Sequence, residues 1–139
     1  MPVRQWTTAV ALLVAAACAR KAPPAIGTNL VTITTTDYAF AAPDTIPAGL
    51  TTLRLVNHGT EAHHGVVIRI AEGTPQSTVD SALRTEGPIP PWMSFAAGPG
   101  AAVPGDSSNA TSVLEAGRYL LVCFIPSADG VPHVAKGMV

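Results

Sequence analysis

Short stretches in which apolar and polar residues alternate dominate the chain from residue 30 onward. Residues 30–36 and 50–57 alternate aliphatic side chains with threonine or other polar residues, and this period of two is typical of a strand with one buried face. Residues 64–71, 110–114 and 118–124 predict further strands, of which the last is the strongest. Because turn residues separate these stretches every ~8–12 positions, we expect about seven short strands in an all-β sandwich or barrel.

One segment follows the period of a helix instead. Within residues 75–84, apolar side chains recur at i, i+3 and i+4 from Val79, which predicts a short helix. Thr74 is the expected N-cap, because Pro75 after it suits the first helical position. We therefore expect a short helical insertion between two strands.

The stretch after this helix, residues 87–106, is rich in glycine and proline. It predicts loop structure with a short strand at residues 101–103. Trp92 and Phe95 follow two prolines there, and we interpret them as a lid over the sandwich core. The alternative is an exposed apolar rim that docks a partner protein.

Composition and charge narrow the range of functions. The chain has 139 residues, of which 47% are hydrophobic and 12% are charged, with 13 prolines and 12 glycines. This length and composition suit one β-rich domain with a modest core. The net charge is −1 and no basic run is present, so nucleic-acid binding has no electrostatic support.

The N-terminus predicts a secretory signal rather than part of the domain. Arg4 precedes an apolar run at residues 9–17, which is too short to span a bilayer. The run ends in the sequence AAAC at residues 15–18, which resembles a bacterial lipoprotein cleavage box. The alternative is an ordinary signal peptide that is cleaved near Ala17.

The lipoprotein resemblance implies that residues 1–17 are removed and that Cys18 becomes the lipidated first residue. Residues 18–27 then form a proline-containing tether, and residues 28–139 form the domain. The protein is expected in the bacterial cell envelope, lipid-anchored and facing the periplasm. Ala19 after the cysteine weakly favours the outer membrane if the source is Gram-negative.

A thiol, an imidazole and a thioether lie close together near the C-terminus, at Cys123, His133 and Met138. The chain has two cysteines, so a lipidated Cys18 leaves Cys123 without a disulfide partner. Metal binding is one explanation for such a thiol in an oxidising compartment. The other is a buried, inert cysteine on a core strand.

A second histidine, either His63 or His64, would complete a set of two imidazoles, one thiolate and a thioether. This is the ligand set of a mononuclear copper site for electron transfer. Four side chains that fill such a site leave no position for a substrate, which argues against an enzyme.

Four segments that carry these residues occur in the order found in cupredoxins, the plastocyanin- and azurin-like blue copper proteins. Residues 37–49 (DYAFAAPDTIPAG) resemble the first strand and turn of that family. LRLVNHGTEAHH at 53–64 resembles the strand that leads to the first ligand histidine. AGRYLLVC at 116–123 resembles the cysteine strand, and residues 126–138 resemble the remaining ligand loop.

The resemblance covers residues 28–139 and implies a cupredoxin-like Greek-key β-sandwich with one copper ion that cycles between Cu(I) and Cu(II). Cys123, His133 and one of His63 and His64 would hold the copper strongly. Met138 would be a weak axial ligand that raises the potential. The expected partners are unidentified redox proteins; a copper chaperone or buffer, and a metal-free interaction module, are the alternatives.

The sequence alone leaves three points undecided. Alignment with the family favours His63 as the ligand and has His64 hydrogen-bonded to the ligand loop. The alternation of inward and outward positions along the predicted strand favours His64 instead. His58 is expected to face solvent. The loop from Cys123 to His133 is longer than in plastocyanin or azurin, which predicts a perturbed site. Cupredoxins also continue into a final strand where this sequence stops at Val139, so that strand is either very short or missing from the sequence.

Overall fold

Seven strands form two facing sheets in a computed structural model that describes residues 27–85 and 87–139. The predicted signal peptide, Cys18 and the tether up to residue 26 lie outside the described residues. The strands are β1 Asn29–Thr36, β2 Ala39–Ala41, β3 Gly49–Asn57, β4 Val66–Ile70, β5 Met93–Ala97, β6 Ser107–Leu114 and β7 Arg118–Val122. A helix, α1 Gln76–Leu83, and a 3₁₀ helix, His133–Lys136, complete the described elements.

The first sheet has the strand order β2-β1-β3-β6 and the second has the order β5-β4-β7. Strand β1 runs parallel to β3, and every other pairing within the sheets is antiparallel. Helix α1 connects β4 to β5, two neighbours in the second sheet. The all-β sandwich with a short helical insertion is therefore confirmed.

The alternating sequence pattern explains the main core. Val31 and Ile33 of β1 pair in register with Leu53 and Leu55 of β3, and all four side chains are buried between the sheets. Burial of each such side chain stabilises the fold by about 1.5–3 kcal/mol. A second cluster joins the helix to the second sheet and contains Ile68, Ile70, Val79 and Val122.

The segment after the helix differs from its prediction. Residues 93–97 form strand β5, which pairs with β4, so the expectation of loop structure is wrong there. The sequence MSFAA lacks β-branched residues, and that absence hid the strand. The short strand expected at residues 101–103 is only an isolated bridge between Ala102 and His63.

The interpretation of Trp92 and Phe95 as a core lid holds for one residue. Trp92 packs against the second cluster, whereas Phe95 is 62% exposed on the edge strand β5.

Helix α1 begins one residue later than predicted, with Pro75 rather than Thr74 in the N-cap position. The Thr74 hydroxyl donates a hydrogen bond to the Ala71 carbonyl at 2.8 Å and closes a turn instead.

The ends of β4 and β7 place the candidate chemistry at one end of the sandwich. Strand β4 begins after His64 and β7 ends just before Cys123, so both are shorter than predicted. Val66 pairs with Val122, which brings the segment before β4 beside the segment after β7. Among the described residues, none of the helices has the length and apolar character needed to cross a bilayer.

Candidate metal centre

Three separate elements deliver a thiol and two imidazoles to this end. His63 lies in the loop from β3 to β4, Cys123 follows β7 directly, and His133 begins the 3₁₀ helix. The long loop between Cys123 and His133 folds back on itself. The His133 amide donates to the Ile125 carbonyl at 2.9 Å, and the Val134 amide donates to the Cys123 carbonyl at 2.7 Å.

The ligand atoms of His63, Cys123 and His133 all lie within 4.8 Å of one another. The two Nδ1 atoms of the histidines are 3.0 Å apart, and Cys123 Sγ is 3.4 Å from His133 Nδ1. All three residues are 0% exposed. Two nitrogens and a sulfur therefore converge in a buried space that matches the donor set of a transition-metal site.

Met138 lies beside this group and is also 0% exposed. Its carbonyl accepts a hydrogen bond from the Cys123 amide at 3.3 Å, and its amide donates to the His133 carbonyl at 3.0 Å. Gly137, with φ of +98°, lets the chain reverse to reach this position. The backbone of Met138 is thus tied to two members of the group, and axial ligation by its sulfur stays a prediction.

His64 lies outside the group, although it is the neighbour of His63. Its Nε2 accepts a hydrogen bond from the Phe124 amide at 2.8 Å, so that lone pair is used within the protein. Burial is the main cause that lowers the pKa of His64, and the imidazoles of His133 and His63 add to it. His64 therefore anchors the chain after Cys123, while His63 reaches the group. His58 is exposed in the loop between β3 and β4.

Asn57, the last residue of β3, organises the loop that carries His63. Its side chain is 0% exposed and makes four hydrogen bonds. Its Oδ1 accepts from the Gly59 amide at 2.8 Å and the Thr35 hydroxyl at 3.2 Å. Its Nδ2 donates to the carbonyls of Glu61 at 2.8 Å and Ala102 at 2.9 Å.

Replacement of Asn57 by alanine is expected to lower the free energy of unfolding by about 3 kcal/mol or more, because the substitution leaves buried backbone groups unpaired. Urea denaturation of the metal-free protein measures this loss. Asn109→Ala on the exposed side of β6 is the matched control and should change stability by less than about 0.5 kcal/mol. Equal unfolding midpoints for the two variants would show that Asn57 has no such role.

Two carboxylates that sequence reasoning missed contact the outer nitrogens of the histidines. His133 Nε2 lies 2.7 Å from Glu61 Oε2, and His63 Nε2 lies 3.4 Å from Asp37 Oδ1. The only sequence signal was the position of Glu61, two residues before His63. Nothing in the sequence connects Glu61 to His133 or Asp37 to His63, because these contacts exist only in the folded chain.

Both carboxylates are held in their ionised form. Hydrogen bonds from the side chain and backbone of Thr60 lower the pKa of Asp37 to about 2. The Ser127 hydroxyl and then the imidazole of His133 lower the pKa of Glu61. Burial raises the pKa of the Cys123 thiol, although the backbone amides of His64 and Ile125 partly oppose this effect.

Tyr38 covers the group from the side of His133. Its ring meets the His133 ring edge-on, with centroids 5.2 Å apart, and its hydroxyl lies 3.1 Å from Ser127 Oγ. Lys136 Nζ lies 4.8 Å from the Tyr38 ring centroid and 2.8 Å from Asp129 Oδ2. Tyr38 adopts a left-handed backbone conformation with φ of 64°, which is uncommon outside glycine.

No family model and no curated protein matches this sequence. Solved structures do match. A dithionite-reduced auracyanin from the photosynthetic bacterium Roseiflexus castenholzii is 24% identical with a TM-score of 0.53, covering 79% of this chain and 91% of its own. Auracyanin B is 22% identical with a TM-score of 0.52, covering 79% and 84%.

Auracyanin A, a "blue" copper protein from Chloroflexus aurantiacus, is 19% identical with a TM-score of 0.49 and covers 73% of this chain and 90% of its own. The likeness to the first two auracyanins establishes the fold. The chain is a cupredoxin-like β-sandwich, as the sequence predicted.

Proposed function

We propose that this protein binds one copper ion and transfers single electrons. The observation that carries the proposal is the buried convergence of His63, Cys123 and His133. A thiolate with two imidazoles suits copper in both oxidation states, and the thioether of Met138 would complete the set as a weak fourth ligand. Bound copper would supply the one-electron Cu(I)/Cu(II) couple.

The protein's own contribution is a rigid donor set. Cys123 is fixed by backbone hydrogen bonds to Met138 and Val134, and His64 fixes the amide that follows it. Donor atoms that are already close together need little movement when the charge of the metal changes. This arrangement favours rapid electron transfer.

We also propose that the protein is an electron carrier and not an enzyme. All three donor residues are fully buried, and Met138 would occupy the remaining side. A hydrolytic or oxidising metal enzyme needs an open coordination position for water or substrate. The donor set offered here has no such position once Met138 is bound.

The proposed partners are redox proteins that dock at the end of the sandwich nearest the site. Phe124 and Val131, each 39% exposed, lie on the loop between Cys123 and His133 and offer apolar contact area there. The net charge of −1 predicts weak electrostatic steering. We further propose that a lipid on Cys18 anchors the protein in the bacterial cell envelope, facing the periplasm.

The test is to add Cu(II) to residues 19–139, record the visible spectrum and then measure the reduction potential by voltammetry. An intense thiolate-to-copper charge-transfer band with a reversible one-electron couple would support the proposal. Tight Cu(I) binding without a reversible couple would indicate a chaperone or buffer instead. A folded protein that binds no copper would indicate a metal-free interaction module.

A further inference from the structure

We propose that Glu61 and Asp37 are positioning residues that direct the Nδ1 atoms of His133 and His63 toward the metal, and that Glu61 stabilises the oxidised site. This inference rests on the proposed copper function. It assigns a role to two acidic side chains that belong to no predicted ligand set.

The two histidines are oriented in the same way. On the inner side, their Nδ1 atoms face each other at 3.0 Å. On the outer side, the Nε2 atom of His133 meets Glu61 at 2.7 Å, and that of His63 meets Asp37 at 3.4 Å. Each buried imidazole therefore lies between the cluster of donor atoms and a carboxylate. The side chain of Glu61 is 30% exposed and that of Asp37 is 35% exposed.

The carboxylates are themselves fixed by the loop that carries His63. Asp37 accepts hydrogen bonds from the Thr60 amide and the Thr60 hydroxyl, both at 2.7 Å. The backbone of Glu61 is held by Asn57, whose Nδ2 donates to the Glu61 carbonyl at 2.8 Å. The loop thus fixes the carboxylate of Asp37 and the backbone position from which the side chain of Glu61 extends.

Gly59 provides independent support for a role of the contact between His63 and Asp37. A Cβ atom at this position would lie 2.5 Å from Asp37 Oδ1 and 2.7 Å from His63 Nε2. Real Cβ atoms do not approach other atoms this closely, so a side chain here would separate the imidazole from the carboxylate. The loop leaves this space only because residue 59 is glycine.

An anionic acceptor at Nε2 has three effects on a metal-binding imidazole. It holds the proton on Nε2, which leaves the Nδ1 lone pair for the metal, and it prevents ring rotation. It also raises the basicity of the donor nitrogen. A more basic donor and a nearby negative charge both stabilise Cu(II) relative to Cu(I). Because the contact of Glu61 with His133 is shorter than that of Asp37 with His63, we expect the larger effect from Glu61.

The test compares four variants of the copper-loaded protein. Glu61→Gln removes the charge but retains an oxygen acceptor, and Glu61→Ala removes both. Asp37→Asn repeats the first change at the longer contact. Glu115→Gln is the matched control, because Glu115 pairs with Arg69 at 2.6 Å near the opposite end of β7 and loses the same charge.

We expect Glu61→Gln to retain the visible band and weaken Cu(II) binding about tenfold relative to Cu(I). For a one-electron couple this raises the reduction potential by about 59 mV. Glu61→Ala should show a larger loss, Asp37→Asn a smaller shift than Glu61→Gln, and Glu115→Gln almost none. In the Cu(I) form, ¹⁵N NMR of the wild type should show His133 protonated at Nε2.

The outcomes separate this inference from the function on which it rests. If the band is present but Glu61→Gln and Glu115→Gln shift the potential equally, Glu61 acts only through net charge and the positioning role is overturned. A His133 proton on Nδ1 in the Cu(I) form would overturn it as well. A wild-type protein without the band would overturn the copper function and this inference together.

Discussion

Cys123→Ser is expected to abolish the intense visible absorption of the copper-loaded protein completely. The band arises from charge transfer out of a thiolate, and a serine hydroxyl is neither ionised at neutral pH nor a soft donor. Cys123 is the only cysteine among the described residues, and it lies 3.4 Å from His133 Nδ1. The measurement is a Cu(II) titration followed in the visible range.

The control for this experiment is the stability of the metal-free variants. Serine is close to cysteine in volume, and its hydroxyl can bond to His133 Nδ1 in the buried site, so Cys123→Ser should unfold at nearly the same urea concentration as the wild type. Cys123→Ala, which introduces no hydroxyl, should also lose the band. A band that survives in either folded variant would show that Cys123 does not ligate copper.

His63→Ala and His64→Ala are expected to differ strongly in copper binding, although the two residues are adjacent. His63→Ala removes a donor atom from the buried group. The resulting loss of Cu(II) affinity should exceed the roughly 10–100-fold loss that is typical when a residue hydrogen-bonded to a metal ligand is replaced. His64→Ala should retain the visible band and lose about 1 kcal/mol of folding free energy with the hydrogen bond from the Phe124 amide.

Competition against a chelator of known Cu(II) affinity measures both losses. His58→Ala is the matched control, because His58 is exposed in the same loop and its removal should leave the affinity unchanged. If His64→Ala loses the band and His63→Ala keeps it, the ligand is His64, which would contradict the structure.

The sandwich itself was predictable because its cause is local. Alternation in β1 and β3 places Val31, Ile33, Leu53 and Leu55 on one face, and a period of two has no other simple structural meaning. Strand β5 was missed because its small and unbranched residues give no such signal. Its identity as a strand comes from pairing with β4, which is a tertiary contact.

The choice between the adjacent histidines shows where reasoning from the sequence reached its limit. Strand parity favoured His64, but parity applies only within a strand, and β4 begins at Val66. The structure places His63 and His64 before that strand, where the Ala102 bridge and the Asn57 hydrogen bonds set the direction of the chain. The loop geometry therefore decides which imidazole reaches the group.

The sequence by itself determined the chemical types of the donors and their order, since Cys123 lies near the end of the strongest strand pattern and His133 and Met138 follow it. It also determined the sandwich, because hydrophobic periodicity is encoded residue by residue. Only the tertiary structure decided which histidine joins the thiol and which carboxylates lie behind the imidazoles. Glu61 and His133 are 72 positions apart, and contacts across such separations depend on how loops from different strands meet, which no local pattern records.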